Sequence, residues 1–308
     1  MKLSRSGEFS LLLVASLTVM VGSALAPGLT TVSQALGVSE YATFLITLPA
    51  LGAILFAPLF GMLIDNIGSR TTLLISLIGY FAFGLGGVFV EGVWFVSINR
   101  ILLGGFAAGC MASGTALISL WYSGPNRLKM IAKQGMAIEL GGAVFLFLGG
   151  ILSEYNWRGP FTLYALGLVS FVLVLLSIPN ENKKLEKVTH NNTDKVSRMG
   201  SVVIYTILSM ALFFSLFVTI PQQMATLLFT EAQTGYLLSF ISIIAVIAAM
   251  VMPRMVSRFT ESTTVMISFL AFAFAHWIFA YSTSIYLLIL AALSAGVWFW
   301  VFNPFIQS

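Results

Sequence analysis

The sequence predicts an all-α protein that crosses a lipid bilayer about ten times, and three observations carry that prediction. The first is composition. Of 308 residues, 58% are hydrophobic and only 8% charged, with a mean hydropathy of +0.98. A soluble domain carries about 25% charged residues, so this inventory cannot dress a soluble surface. The second is the length of the apolar runs, at 9–30, 41–63, 71–90, 93–121, 132–152, 161–178, 202–228, 234–251, 263–281 and 285–302. Each can cross a ~30 Å hydrocarbon core at ~1.5 Å per residue, and none shows the alternation of barrel strands. The third is the one-sided placement of bases. Lys2, Arg5, Arg70, Arg127, Lys129, Lys133, Lys183, Lys184, Lys187, Lys195, Arg198, Arg254 and Arg258 fall on one side, Arg158 alone falls in the opposite loops, and Arg100 lies within a span. The asymmetry places the N-terminus in the cytoplasm. It also accounts for the net charge of +4 without a nucleic-acid partner.

Taken in order, the first span begins like a signal peptide, with Lys2 and Arg5 ahead of an apolar run ending in Ala24-Leu25-Ala26. Pro27 would follow the cut and disfavours it, so the segment reads as an uncleaved helix. Pro27-Gly28 can break that helix near its outer end, with Thr30, Thr31 and Gln34 beyond. Spans two and three are joined by Gly61-Met62-Leu63-Ile64-Asp65-Asn66-Ile67-Gly68-Ser69-Arg70, with two glycines expected where the chain reverses. In span four, Arg100 lies about seven residues in, roughly 10 Å deep at ~1.5 Å per residue. A charge at that depth should meet a cavity or a partner. Ala107, Met111 and Gly114 share its face, and Gly105, Gly109 and Ser113 form a small-residue stripe for helix contact.

Glu139, in span five, is the one acid inside a predicted span. An isolated carboxylate in apolar surroundings takes up a proton rather than stay charged, which is the property a proton-coupled carrier needs. Gly135, Ala143 and Gly150 share its half of the helix, so it should face a close helix contact or a cavity. The segment 179–200 is rich in Lys, Asn, Glu and Thr and reads as a cytoplasmic linker. In span seven, Pro221 with Gln222 and Gln223 holds a place like that of Pro27 in span one. His276 in span nine and Cys110 in span four read as packing residues. No Walker-type phosphate loop, metal-ligand cluster or nucleophile–base pair is present in the sequence, so neither an enzyme, a metal nor a cofactor is expected.

The pattern G-x-L-x-D-x-x-G-x-R at 61–70 resembles the signature loop between the second and third helices of the major facilitator superfamily of secondary transporters. Arg100-x-x-x-Gly104-Gly105 with Ala108-Gly109 is similar to that family's fourth-helix motif, and Trp157-Arg158-x-x-Phe161 to the start of its sixth helix. Gly141, Gly149 and Gly150 match part of the glycine motif of its exporters, although Phe145-Leu146 stand where a Gly-Pro pair is expected. The resemblance implies two six-helix bundles around a cavity exposed alternately to each side. It casts Gly61, Asp65, Gly68 and Arg70 as a gating motif, Arg100 and Glu139 as coupling or cavity residues, and Gln34, Met111 and Gln222 as candidate substrate contacts.

A shift of about 192 positions lays Thr71-Thr72-Leu73-Leu74-Ile75-Ser76 over Thr263-Thr264-Val265-Met266-Ile267-Ser268, as an internal duplication would. The expected organisation is therefore a six-helix bundle at 1–178, the linker at 179–200, and a four-helix part of a second bundle at 201–308. Twelve helices would complete the plan, which leads to the expectation of a C-terminally truncated sequence; a ten-span plan of two five-span repeats would instead put the break after span five. The function expected is a monomeric secondary active transporter in a bacterial plasma membrane, exporting a drug or metabolite in exchange for protons. The alternatives are an organic-anion uptake permease that uses Arg100, and an inactive transporter fragment.

Overall fold

The computed structural model describes residues 3–180, 211–212, 214–256, 261–282 and 284–298. Ser4 starts the first helix by accepting the Gly7 amide at 3.1 Å, satisfying one of the amides a helix start leaves unpaired. Helix α1 (Arg5–Ser23) stops before Pro27-Gly28, and the chain resumes as α2 (Leu29–Ala35), so the expected break is present. Next come α3 (Phe44–Ile67), α4 (Ser69–Gly86), α5 (Val93–Trp121), α6 (Gly124–Tyr155) and α7 (Leu166–Ser177), the last preceded by a 3₁₀ stretch, Gly159–Ala165. Residues 214–226 form α8, followed by α9 (Glu231–Val256), α10 (Glu261–Tyr281) and α11 (Ile285–Trp298). Each of the ten apolar runs is thus mainly helical where it is described, the first interrupted at 24–28. Among the described residues, six helical stretches are long and apolar enough to cross a membrane by themselves, and shorter apolar helices follow in the second half.

Two details of the reading change. Gly61 is not at a reversal: it lies inside α3, exposed, with open space around it. The turn is Gly68 alone, at φ 86° and ψ 156°, which ends α3 and begins α4. That backbone conformation is essentially reserved for glycine. Pro221 does not break its helix either, because 214–226 runs through it. The chain turns instead at Leu228, which sits at φ 62°. The linker from 181 onward and the first part of the predicted seventh span lie outside the described residues.

Successive helices run antiparallel, which sorts the connections onto two faces. The start of α1, the α3–α4 and α5–α6 turns and the end of α7 share one face, here called the basic face for Arg5, Arg70, Arg127, Lys129 and Lys133. In lipid, helices associate by close packing rather than by hydrophobic exclusion, and small residues make that approach possible. A methyl group on Gly52 of α3 would lie 1.9 Å from the Ile101 carbonyl oxygen of α5, and one on Gly104 of α5 would lie 1.9 Å from the Pro49 carbonyl oxygen of α3. Gly109 abuts Phe60 and Ser76, and Gly149 of α6 abuts the Ala24 carbonyl. The small-residue stripe of span four is therefore an α5 seam against α3 and α4. α1 and α6 pack together, as do α4 with α7 and α10 with α11, and α6 meets α9 from the other half of the chain.

Candidate functional site

Where α1, α3 and α5 converge with the first turn of α8, they leave a cavity of about 610 Å³. Its walls are almost wholly carbon: Val19, Ile46, Pro49, Ala53, Ala108, Met111, Phe214 and Phe217 stand among the lining residues. The hydroxyls of Thr18 and Ser23 are there too, but each donates to a carbonyl of its own helix, at 2.7 Å and 2.9 Å. No Asp, Glu, Lys or Arg is among the described residues lining it. Met111 is one of the lining residues. Gln34 is exposed on α2 and Gln222 lines a separate depression of about 430 Å³ with Thr219, Gln223, Thr226 and Tyr281. Neither glutamine touches the central cavity, because both lie nearer the connections than the helix centres.

Arg100 meets partners rather than the cavity. Its side chain is fully buried, with the guanidinium carbon 5.2 Å from the centre of the Phe161 ring and Nη1 3.5 Å from the Tyr164 hydroxyl. Aromatic faces attract a cation at this range. Nε and Nη2 have no hydrogen-bond partner among the described residues. Tyr164 donates to the Val21 carbonyl of α1 at 3.0 Å, so the cluster ties α5 and the 3₁₀ stretch to α1. Although Arg100 shares a helical face with Ala107 and Met111, the 3₁₀ stretch covers that face at its level.

Glu139 is half-buried and has no hydrogen-bond partner among the described residues. It lies one turn from Ala143, on the α6 stripe that continues through Leu146 to Gly150. That stripe meets α9: Ser239 donates to the Ala143 carbonyl at 2.8 Å, and a methyl group on Gly150 would lie 2.9 Å from the Gly235 Cα. Ala143 and Gly150, which share its half of the helix, are thus in close contact with α9. Glu139 and Arg100 are not brought together.

The α6–α9 seam ends, on the face opposite the basic one, in two carboxylate contacts. Glu154 accepts the Ala232 amide at 3.1 Å, and Glu231 accepts the hydroxyl of Thr31 in α2. A carboxylate at the first turn of α9 also gains from the helix dipole. These residues were not singled out in the sequence, yet a signal was there. Thr230-Glu231-Ala232-Gln233 has the capping-box pattern, and the structure forms that box, with Gln233 N–H to Thr230 Oγ1 at 3.2 Å and Thr230 N–H to Gln233 Oε1 at 2.9 Å. The pattern fixes where α9 begins and so places Glu231 in its first turn.

On the basic face, Arg70 grips the end of α7. Its Nε donates to the Ile178 carbonyl at 2.6 Å, Nη2 to the Leu175 carbonyl at 3.0 Å, and Nη1 to the side chain of Asn180. A cation suits carbonyls left free at a helix C-terminus. Asp65, one turn before Gly68, is exposed and has no partner among the described residues. Nearby, Glu8 of α1 accepts from the Tyr122 hydroxyl at 2.8 Å and pairs with Lys133 of α6 at 3.4 Å. Burial, then the hydrogen bond to Glu8 and its charge, hold the Tyr122 phenol above its ordinary value.

Long apolar helices packed through small residues, around a cavity bordered by residues from both halves of the chain, define a multi-pass membrane protein. The chain belongs to the Major Facilitator Superfamily, whose sequence model matches residues 11–308. It is 28% identical over 241 residues to the class B tetracycline resistance protein of Escherichia coli, covering 74% of this chain and 60% of that protein. It is 26% identical over 239 residues to the class H tetracycline resistance protein of Pasteurella multocida, covering 73% and 59%. The chain thus spans about 60% of the length of these relatives. In fold it is similar to a bacterial homologue of the human lysosomal transporter Spinster, solved in an inward-facing, occupied conformation. The TM-score is 0.74 at 14% identity, over 96% of this chain and 72% of that one.

Proposed function

We propose that this chain serves proton-coupled efflux of a small organic solute by alternating access. The bundle at 1–178 and that beginning at 201 rock about the cavity, and 179–200 joins them on the cytoplasmic side of a bacterial plasma membrane. The observation that carries this reading is the seam between the two halves of the chain: Glu154 caps α9, Glu231 holds Thr31 and Ser239 holds the Ala143 carbonyl of α6, while Asp65 of the basic-face turn is exposed and has no partner among the described residues. In the proposed cycle these seam contacts are the ones that open. Closing the inner face gives Asp65 a helix end to dock on, and α6 and α9 separate outside.

The carbon-lined cavity favours an amphiphilic passenger recognised by shape and burial. Two relatives act in tetracycline resistance by their names, which makes efflux the first direction to test. Organic-anion uptake through Arg100 loses its footing, because the guanidinium is sealed among Phe161 and Tyr164. Glu139, without a partner at the moving α6–α9 seam, is the group to carry the proton. In everted vesicles holding the full-length protein, tetracycline and a panel of amphiphilic cations should each be tested for release of protons from acid-loaded lumens. Proton release that is lost in Glu139→Gln supports the reading. Solute movement indifferent to the proton gradient, and unchanged in Glu139→Gln and Asp65→Asn, overturns it.

A further inference from the structure

Behind the cavity wall, α8 and α10 are pinned by a histidine. His276 Nδ1 lies 3.2 Å from the Phe272 carbonyl oxygen of its own helix, and Nε2 lies 3.0 Å from Ser215 Oγ of α8. The Ser215 hydroxyl is also 2.6 Å from the Leu212 carbonyl oxygen. A carbonyl only accepts, so Nδ1 carries hydrogen in every state. The neutral ring then has a bare Nε2 and takes the Ser215 proton. A protonated ring has hydrogen on both nitrogens, and Ser215 must turn its proton to Leu212 and accept from Nε2. Both states are fully paired, and one rotation of a hydroxyl converts them. A histidine merely packed in place needs one such arrangement; this one is provided with two.

Among the described residues of the helices packed around it, no charged group lies beside the ring. Residues 214–226 of α8 hold no Asp, Glu, Lys, Arg or His. The titratable groups of α10 besides His276 are Glu261, four turns away, and the exposed Tyr281. α11 has Tyr286 alone, exposed at its start, and α9 has Glu231 and Tyr236 near one end and Arg254 near the other. Ser215 lies between Phe214 and Phe217, both of which line the cavity. Whatever moves Ser215 against Leu212 therefore moves two cavity walls.

We propose that His276 and Ser215 form a second proton-binding site, in which proton uptake on Nε2 is exchanged for a Ser215–Leu212 hydrogen bond and shifts the α8 wall of the cavity. The incoming proton is taken from water and adds to the Nε2 lone pair, and no other covalent bond changes except that the Ser215 O–H rotates. The role in coupling rests on the transporter reading; the proton site itself does not.

The chain's other histidine is His190, so His190→Asn leaves one imidazole for ¹⁵N-histidine NMR of the full chain in lipid nanodiscs. The expected spectra pass between pH 9 and 5 from a ring with bare Nε2 to one protonated on both nitrogens. Ser215→Ala removes the acceptor of a charge-assisted bond, and a roughly threefold or greater rise in proton concentration is then needed to charge the ring; Ser215→Thr restores the original midpoint. A ring with bare Nδ1, no transition in that range, or a midpoint indifferent to Ser215→Ala overturns the site. Wall movement is read separately, by maleimide labelling of Phe217→Cys in a Cys110→Ala background, normalised to Thr226→Cys. A normalised rate that changes about threefold or more across the transition and stops changing in Ser215→Ala supports coupling. A rate without pH dependence, or with the same dependence in Ser215→Ala, overturns it while the NMR result stands on its own.

Discussion

Replacing Gly150 by alanine tests whether the α6–α9 seam opens. The added methyl would sit 2.7 Å from the Glu231 carbonyl oxygen and 2.9 Å from the Gly235 Cα. Both are backbone atoms, so the helices must part by several tenths of an ångström. Overpacking of this kind costs about 1–3 kcal/mol, which moves a two-state equilibrium about 5- to 150-fold. The cost falls only on the state in which α6 and α9 touch. Gly149→Ala is the control, because its methyl would sit 2.3 Å from the Ala24 carbonyl oxygen just past the end of α1, a contact within the first half of the chain that the proposed motion leaves in place. Spin labels on Tyr155→Cys and Leu228→Cys, both exposed on the face opposite the basic one, report the separation in a Cys110→Ala background. Gly150→Ala should raise the long-distance population by that factor, and Gly149→Ala should lower the melting temperature without changing the distances. Unchanged distances in Gly150→Ala, with a melting loss equal to that of Gly149→Ala, would show a permanent seam and refute the gate.

Three further outcomes follow from the basic face. Asp65→Asn should leave the melting free energy within about 0.5 kcal/mol, as for exposed surface changes, while slowing counterflow; a large melting loss would mean Asp65 already has a partner in this state. Arg70→Lys cannot reach three acceptors with one ammonium, so hydrogen exchange at the end of α7 should rise, and unchanged protection would show the grip to be dispensable. Tyr122→Phe removes a hydrogen bond to a carboxylate and should cost about 1.5–3 kcal/mol in thermal unfolding. Because the phenol's proton is held more tightly when folded, its contribution is full below about pH 10, the ordinary tyrosine value, and declines as pH rises from there. The deficit of Tyr122→Phe should narrow over that range.

The helices were legible because each needs only a local quantity, about 20 apolar residues. Pro27-Gly28 announced its break in the same local way. Gly68 was half-read: two glycines were expected at the reversal, while α3 keeps its hydrogen bonds through Gly61 because nothing there forces an end. The site was harder, because its contacts are distant in sequence. Arg100 finds Phe161 and Tyr164 some 60 residues on, and Thr31 finds Glu231 after 200. A helical wheel gives the direction of a side chain but not the element that covers it, so it put Arg100 on one face with Met111 and left it unassigned between cavity and partner. The capping box at Thr230–Gln233 was readable, but the role of Glu231 needed α2 in place.

The cavity's carbon lining has an electrical consequence. At about 30 Å³ per water, its volume of about 610 Å³ could hold about 20 molecules. Its described walls offer little to bind them, since the Thr18 and Ser23 hydroxyls already donate to carbonyls of their own helices. Protons cross a membrane along unbroken files of hydrogen-bonded water, and a lining such as Val19, Pro49 and Phe217 gives such a file no partner. The same carbon surface that would suit an apolar passenger is thus a poor support for proton conduction.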